Sequence, residues 1–433
     1  MSVNTRLIES IEDLNYRVTV GDVAGRLGLD LRVAERELLK LAADSQANLQ
    51  VAETGDIVYV FPQNFRTILR NKYWRLRWEK WLKKAWDIIF YLIRISFGII
   101  LITSIIIMLI AIAVIIIGIS SGGGRDNENR RNGETANWAG GVWSLPRIWI
   151  MPDLFWIFTG EYEERFYEKR REIESGSGSG RLNFLESIYS FLFGDGNPNK
   201  DLEEKRWQYI AAVIRNNNGA IIAEQIAPYL DNIDISKETS EDYILPVLIR
   251  FNGYPEVSET GEIIYYFPEL QVTASEREKM EIPPYLRENL WQFSMATSGQ
   301  KMAAIGLGGV NIILALMLGS LLTPGVVEQM GGFIAFVNSI YGILLTYAIG
   351  YLAIPLIRYL WLQRRNRKIT QRNQQRERQA YLLNTSSRLQ QKILYARNYG
   401  QQKILTAGDM VYSTEKDILE QTIEKLDGNG EES

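Results

Sequence analysis

Cysteine and histidine are both missing from this chain of 433 residues. Without cysteine the protein has no disulfide, no thiolate nucleophile and no Cys-ligated cluster or zinc site. Without histidine it has neither a Ser-His-Asp relay nor a histidine pH switch. We find no other catalytic constellation in the sequence. The chain is therefore predicted to be a non-enzyme, with no catalytic, cofactor-binding or metal site.

Charge is scarce in three long stretches, which we interpret as membrane segments at residues 85–119, 302–322 and 333–361. The centre of the first, residues 99–119, carries no charge and is long enough to cross a hydrocarbon core, which takes about 20 residues. The second is rich in glycine, which favours close helix packing. Residues 1–10 lack the apolar region of a secretory signal peptide, so insertion is expected to use the internal segments.

Basic residues interleaved with tryptophan and tyrosine precede the first segment, and a second basic run follows the third. This combination is typical of a cytoplasmic membrane boundary. We predict a basic aromatic juxtamembrane helix at residues 66–84 and a basic, then helical, cytoplasmic tail at residues 364–433. Within the tail, residues 379–397 are expected to form an exposed helix, and both chain termini are expected to be cytoplasmic. Membrane lipids are the expected partners of eight interface residues: Trp74, Arg77, Trp78, Trp81, Lys83, Lys84, Arg364 and Arg365.

Three crossings conflict with this orientation, because they would place the two basic flanks on opposite sides of the membrane. One solution is re-entry by residues 143–158, an apolar stretch of the linker at residues 120–180 that could also lie on the membrane surface. Another is a first segment that bends back on itself. The alternative to both flanks inside is a single span by the first segment with an exoplasmic middle domain. We favour both flanks inside, and the sequence leaves the path of return open.

A short segment occurs twice in the chain, because residues 53–62 match residues 259–268 at most positions. Each copy reads as a turn, an alternating strand and a terminating proline. Helical patterns precede both copies; in the second copy they end near residue 230 and then cover residues 240–251. Helix, turn, helix and wing hairpin describe a winged helix, which we predict at residues 1–65 and again at residues 181–275. The expected fold class is thus mixed: α-helical membrane segments plus two α+β winged-helix-like soluble domains.

The charge of the first of these domains disfavours nucleic acid as a partner. Residues 1–63 contain six Arg and Lys residues against ten Asp and Glu residues. Phosphate contacts dominate nucleic-acid affinity, so a DNA-binding domain is expected to be basic. Arg32, Arg36 and Lys40 nevertheless share one face of the predicted second helix, and we interpret them as a candidate protein-docking face.

Several short motifs are distinctive: VTVGDVA at 18–24, AAD at 42–44, YVFP at 59–62, RISFG at 94–98, DLFW at 153–156, FGDGNPN at 193–199 and VYST at 411–414. They resemble an uncharacterised family of membrane proteins shared by cyanobacteria and plant chloroplasts, and the resemblance spans nearly the whole chain. Plastid members of that family are labelled as iron–sulfur cluster biosynthesis proteins, but this chain has no cysteine or histidine to ligate iron. The resemblance implies a thylakoid or plasma membrane of a cyanobacterium.

These features together favour a non-enzymatic membrane scaffold or assembly factor. The family resemblance implies that it supports a photosynthetic complex, with photosystem subunits as membrane-protein clients. One alternative is a membrane-tethered winged-helix transcription regulator. Another is a small-solute transporter or channel, although the apolar segments contain no acidic cluster. Asp195 begins a stretch that resembles part of a calcium loop, but we interpret it as a turn before a helix.

Overall fold

The computed structural model describes residues 3–72, 74–122, 183–231, 233, 241–258, 261–276 and 279–414. Residues 123–180 of the predicted linker, including the stretch at 143–158, and the end of the tail lie outside these residues, while residues 120–122 belong to a helix. The helices are α1 Val3–Asp13, α2 Val20–Leu27, α3 Leu31–Ser45, α4 Phe65–Lys72, α5 Trp74–Gly122, α6 Phe184–Phe193, α7 Leu202–Asn216, α8 Leu245–Phe251, α9 Pro268–Gln271, α10 Ser298–Leu321, α11 Pro324–Met330, α12 Gly332–Thr385 and α13 Ser387–Arg397. The strands are β1 Arg17–Thr19, β2 Asn48–Ala52, β3 Ile57–Val60, β4 Ala220–Ile221, β5 Tyr254–Val257, β6 Ile263–Tyr266, β7 Val272–Thr273, β8 Lys403–Ile404 and β9 Met410–Ser413.

The chain forms two compact units and combines long helices with small sheets. Unit 1 contains Met1–Lys84, Asn197–Trp291 and Arg364–Ser433, and unit 2 contains Ala85–Gly196 and Gln292–Gln363. All of the described strands belong to unit 1, and the apolar parts of α5, α10 and α12 belong to unit 2.

The first module of unit 1 comprises α1 to α3 and an antiparallel sheet in the order β1-β3-β2. On the central strand, Val60 pairs with Arg17 on one side and Asn48 on the other. A capping box of Thr19 and Asp22 starts α2 directly after β1. Apolar residues of the three helices, the sheet and α4 face inward and form one closed core. Its fully buried residues include Leu7, Ile11, Val18, Val23, Leu38 and Phe65.

The second module of unit 1 has the same element order, from α7 through β4 and α8 to β5 and β6. Its sheet order is β4-β6-β5, and Tyr266 on the central strand pairs with Ala220 and Tyr254. Where the sequence pattern predicts α-helix up to residue 230, the structure has two 3₁₀ helices, Ala223–Gln225 and Ala227–Tyr229. Pro228 follows the start of the second, and its missing N–H suits a short helix better than a continuous one.

The two modules dock through Gly21 in α2 and Gly28, the residue that follows the helix. A Cβ on Gly21 would collide with the carbonyl oxygen of Glu269, and a Cβ on Gly28 would lie 2.5 Å from the backbone nitrogen of Gln208. Arg250 of the second module donates to the carbonyl of Gly28 at 2.7 and 2.9 Å and stacks on the ring of Trp207 at 4.2 Å. Glycine is therefore required here for backbone approach as well as for the left-handed φ of +65° at Gly28.

The C-terminal tail crosses both modules. Helix α13 packs Leu389 and Ala396 against Ile222 and Ile264 of the second module. Strand β8 then pairs in parallel with β7, and β9 adds a fourth strand to the first module's sheet beside β2. The tail thus belongs to the folded body of unit 1.

A buried lysine fixes the tail helix in place. Lys392 on α13 has a side chain only 1% exposed, and its ammonium lies 3.0 Å from Glu224 and 2.7 Å from Glu241. A buried charge is tolerated only when it is paired and hydrogen-bonded. The exposed helix expected at residues 379–397 is instead two helices separated at Ser386, with one face buried.

Unit 2 is a bundle in which α5 and α10 run parallel and α12 runs antiparallel to both. Ser104 on α5 donates to the side-chain oxygen of Asn311 on α10 at 3.0 Å, and the hydroxyl of Tyr351 on α12 donates to the carbonyl of Ala304 at 3.3 Å. Toward the other end of the bundle, residues of α5 near Ile115 pack with Leu318 and with the beginning of α12. Residues 85 and 363 therefore lie at the same end of this bundle.

Replacement of Gly28 by alanine should loosen the docking of the two modules. Gly55 is the matched control, because its φ is +84° but a Cβ there would meet nothing within 4 Å. We expect Gly55→Ala to cost about 1 kcal/mol for the left-handed backbone alone, and Gly28→Ala about 1–3 kcal/mol more because of the clash. Tryptophan-monitored urea unfolding of the full chain measures both. Equal losses for the two variants would show that the close approach at Gly28 is unimportant.

Candidate docking surfaces

The predicted docking face lies on the exposed side of α3. Arg32, Arg36 and Lys40 are all solvent-exposed, while Leu38 and Leu41 point into the module core. The side chain of Asp30 caps the helix by accepting from the backbone nitrogen of Arg32 at 3.0 Å. The spacing of the three cations by one helical turn thus places them in one exposed row, as the sequence predicts.

A groove of about 640 Å³ opens next to the first residue of this row. It lies between the modules of unit 1, with the starts of α2 and α3 and the β2–β3 turn on one side and α8 and α9 on the other. Its walls combine apolar and charged side chains. The lining residues are Thr19, Val20, Gly21, Asp30, Leu31, Arg32, Glu35, Gly55, Asp56, Ile57, Tyr59, Ile249, Asn252, Glu269 and Val272.

Glu269 has the most perturbed carboxyl of the groove. The residue as a whole is solvent-exposed, but burial of its carboxyl against the groove walls raises the pKa above its ordinary value, and the negative charges of Asp56 and Glu35 raise it further. The phenol of Tyr59 beside it has a raised pKa for the same reasons, burial first and then the charge of Glu35. The groove therefore has an excess of negative charge.

Asp22 joins the two modules behind this groove. Only 2% of the residue is exposed, and its carboxylate accepts hydrogen bonds from the hydroxyl of Thr273 at 2.8 Å and the backbone nitrogen of Ala274 at 2.9 Å. It also accepts from Thr19 within its own module and lies 3.5 Å from Arg215 of the second. The Thr-x-x-Asp spacing predicts a helix cap, but nothing in the sequence identifies the distant partners.

The predicted membrane-interface residues fall into two groups. Trp74, Arg77, Trp78 and Lys83 belong to helix α5, but their side chains are outside the described part of the structure. The other four are exposed, and the guanidinium of Arg365 lies 4.2 Å from the ring centre of Trp291. Stacking on tryptophan suits a membrane boundary but also suits ordinary surface packing.

Asp195 acts as a structural staple at one end of unit 2. Its carboxylate accepts from the hydroxyl of Ser190 at 2.7 Å, the backbone nitrogen of Met295 at 2.8 Å and Arg94 at 3.1 Å. Arg358, which lies within the third apolar segment, donates to the carbonyls of Ser190 and Phe293 in the same cluster. Among the described residues, no group of three or more acidic side chains is placed to hold a metal ion.

These features define a largely helical protein in which, within the described residues, three helices are long and apolar enough to cross a membrane: α5, α10 and α12. Over 438 aligned residues the chain is 38% identical to "Uncharacterized protein At5g03900, chloroplastic" of Arabidopsis thaliana, covering 98% of this chain and 80% of the relative. The chain belongs to the same family as that plastid protein. No family model matches the chain, and no solved structure matches it.

Substitution of Glu269 by glutamine should stabilise the protein near neutral pH. A carboxyl with a raised folded-state pKa contributes stability below its unfolded pKa and loses it as the pH rises through the folded pKa. The neutral glutamine avoids this loss, so its advantage at pH 7 should disappear below about pH 4, where both forms are uncharged. Unfolding temperatures of the two proteins across this range provide the measurement. A destabilised variant at pH 7 would contradict the charge argument.

Proposed function

We propose that the protein is a membrane-anchored, non-enzymatic scaffold that supports biogenesis or maintenance of a photosynthetic complex. The observation that carries the proposal is the construction of the chain: a body of two docked modules is continuous with a bundle of three candidate spans. The chain passes between the two units after residues 84, 196, 291 and 363. Four chain connections to a bundle of candidate spans suit a scaffold whose soluble modules are anchored at a bilayer. The plastid relative supports a photosynthetic membrane as the location.

We further propose that the two modules are copies of one winged-helix unit. The matching strand orders and pairing registers of their sheets support this. The turns between β2 and β3 and between β5 and β6 also correspond, because Gly55 donates to Ala52 and Gly261 donates to Ser258, both at 2.9 Å. The excess of carboxylates in the groove supports protein docking over DNA binding.

We propose that both basic flanks face the same side of the membrane. The antiparallel course of α12 relative to α5 supports this, because it brings residues 85 and 363 to one end of unit 2. Helix α6 packs near the same end, where the ring centres of Phe193 and Phe97 lie 4.9 Å apart. Gly122 ends α5 at the opposite end of the bundle. With three candidate spans, the proposed orientation therefore requires the chain to cross the bilayer once more between Gly122 and Phe184.

The absence of cysteine makes this orientation directly measurable with single cysteines. In sealed vesicles of known sidedness, an impermeant maleimide should label Lys84→Cys and Gln363→Cys from the same side. It should label Glu328→Cys, in α11 at the other end of the bundle, from the opposite side. Labelling of Lys84→Cys and Gln363→Cys from different sides would refute the proposed orientation.

The scaffold role predicts client proteins that depend on the α3 face. We expect photosystem subunits to co-purify with the tagged full chain from solubilised thylakoid membranes. Glutamate at positions Arg32, Arg36 and Lys40 should reduce their recovery several-fold. The matched control places glutamate at three other exposed cations, Lys205, Lys279 and Arg378, and should retain the clients. Recovery no better than from an untagged strain would remove support for the scaffold role.

A further inference from the structure

We propose that the groove between the two modules binds a lysine- and arginine-rich segment of a partner protein, of the kind that flanks a membrane span. The proposal rests on the docking role above and specifies the chemistry of the partner. The groove adjoins the cationic row on the exposed face of α3 and shares only Arg32 with it.

The charge of the groove selects a cationic partner. Four carboxylates line it, from Asp30, Glu35, Asp56 and Glu269, against the single guanidinium of Arg32. Lys403 lies 3.3 Å from Asp56 and neutralises part of its charge. Within the described residues, neither Glu35 nor Glu269 has an ion-pair partner. The raised pKa of the Glu269 carboxyl reports the resulting repulsion, after burial, which is its larger cause.

The apolar walls select a segment with long aliphatic stems. Ile249 on α8 is 67% exposed and Ile57 at the start of β3 is 36% exposed, although both are large hydrophobic residues. Leu31 and Val272 also line the groove. Lysine and arginine bury their methylene stems on such surfaces while their charged ends remain near carboxylates or water. A phosphate-bearing partner would meet only repulsion from these carboxylates.

Membrane proteins supply segments with this chemistry, because their cytoplasmic flanks are enriched in lysine and arginine. A scaffold that is itself anchored by apolar helices would meet these flanks at the bilayer surface. Electrostatic complementarity of this kind increases the association rate and selects among partners more than it adds affinity. The groove is therefore suited to recognising a class of clients, with other surfaces deciding which member binds.

The test uses the detergent-solubilised full chain and a fluorescent peptide of alternating lysine and leucine as the probe. We expect saturable binding that weakens as salt rises, because exposed charges are screened. The double variant E35Q/E269Q should bind about five- to tenfold more weakly. The double variant E276Q/E281Q, which removes two exposed carboxylates outside the groove lining, should bind as the wild type does. A peptide with glutamate in place of lysine should not bind.

The unfolding temperature of each variant distinguishes a loss of binding from a loss of fold. E269Q is expected to be at least as stable as the wild type at neutral pH. Equal binding by E35Q/E269Q and the wild type, or binding of the acidic peptide, would overturn the proposal. So would the absence of any peptide binding, which is also the result expected if another part of this chain fills the groove. Peptide binding without co-purified photosystem subunits would retain the groove assignment and reject the photosynthetic role. Co-purified photosystem subunits without peptide binding would retain the photosynthetic role and reject the groove assignment.

Discussion

The close approach of α2 to the second module sets the arrangement of unit 1. Gly21 and Gly28 allow the backbones of the two modules to approach closely. The carboxylate of Asp22 accepts hydrogen bonds from Thr19 in the first module and from Thr273 and Ala274. A buried carboxylate is stable only while its partners are present, and removal of one partner from such a set typically costs about 3–5 kcal/mol. The contact of α2 with the second module fixes the distance between α3 and α8, and the groove with its four carboxylates lies between those helices.

Local patterns anticipate much of unit 1 and the outline of unit 2. The alternation in residues 57–60 and 263–266 predicts the two central strands, and unbroken apolar runs predict the long helices of the bundle. The cationic row on α3 follows from helical spacing alone. These features depend on neighbours within a few turns or residues, which is the range over which sequence periodicity carries information.

The remaining features depend on partners far along the chain. The local sequence predicts that Asp22 caps a helix. Its carboxylate also accepts hydrogen bonds from Thr273 and Ala274, which no local pattern connects to it. Lys392 lies in a stretch whose charge suggests an exposed helix, and only its pairing with Glu224 explains its burial. Arg358 is hidden in an apolar run for the same reason, because its carbonyl acceptors come from α6 and from the segment before α10.

Strand β9 has a consequence for the order in which the protein is made. Val51 pairs with Tyr412, so the outer edge of the first sheet stays open while the ribosome synthesises all three apolar helices. At about 5–20 residues per second this leaves an unpaired edge on the nascent chain for tens of seconds. An open edge is a template for pairing with foreign strands. The first module, although translated first, is completed last, and a chaperone that shields β2 during translation would protect the whole molecule.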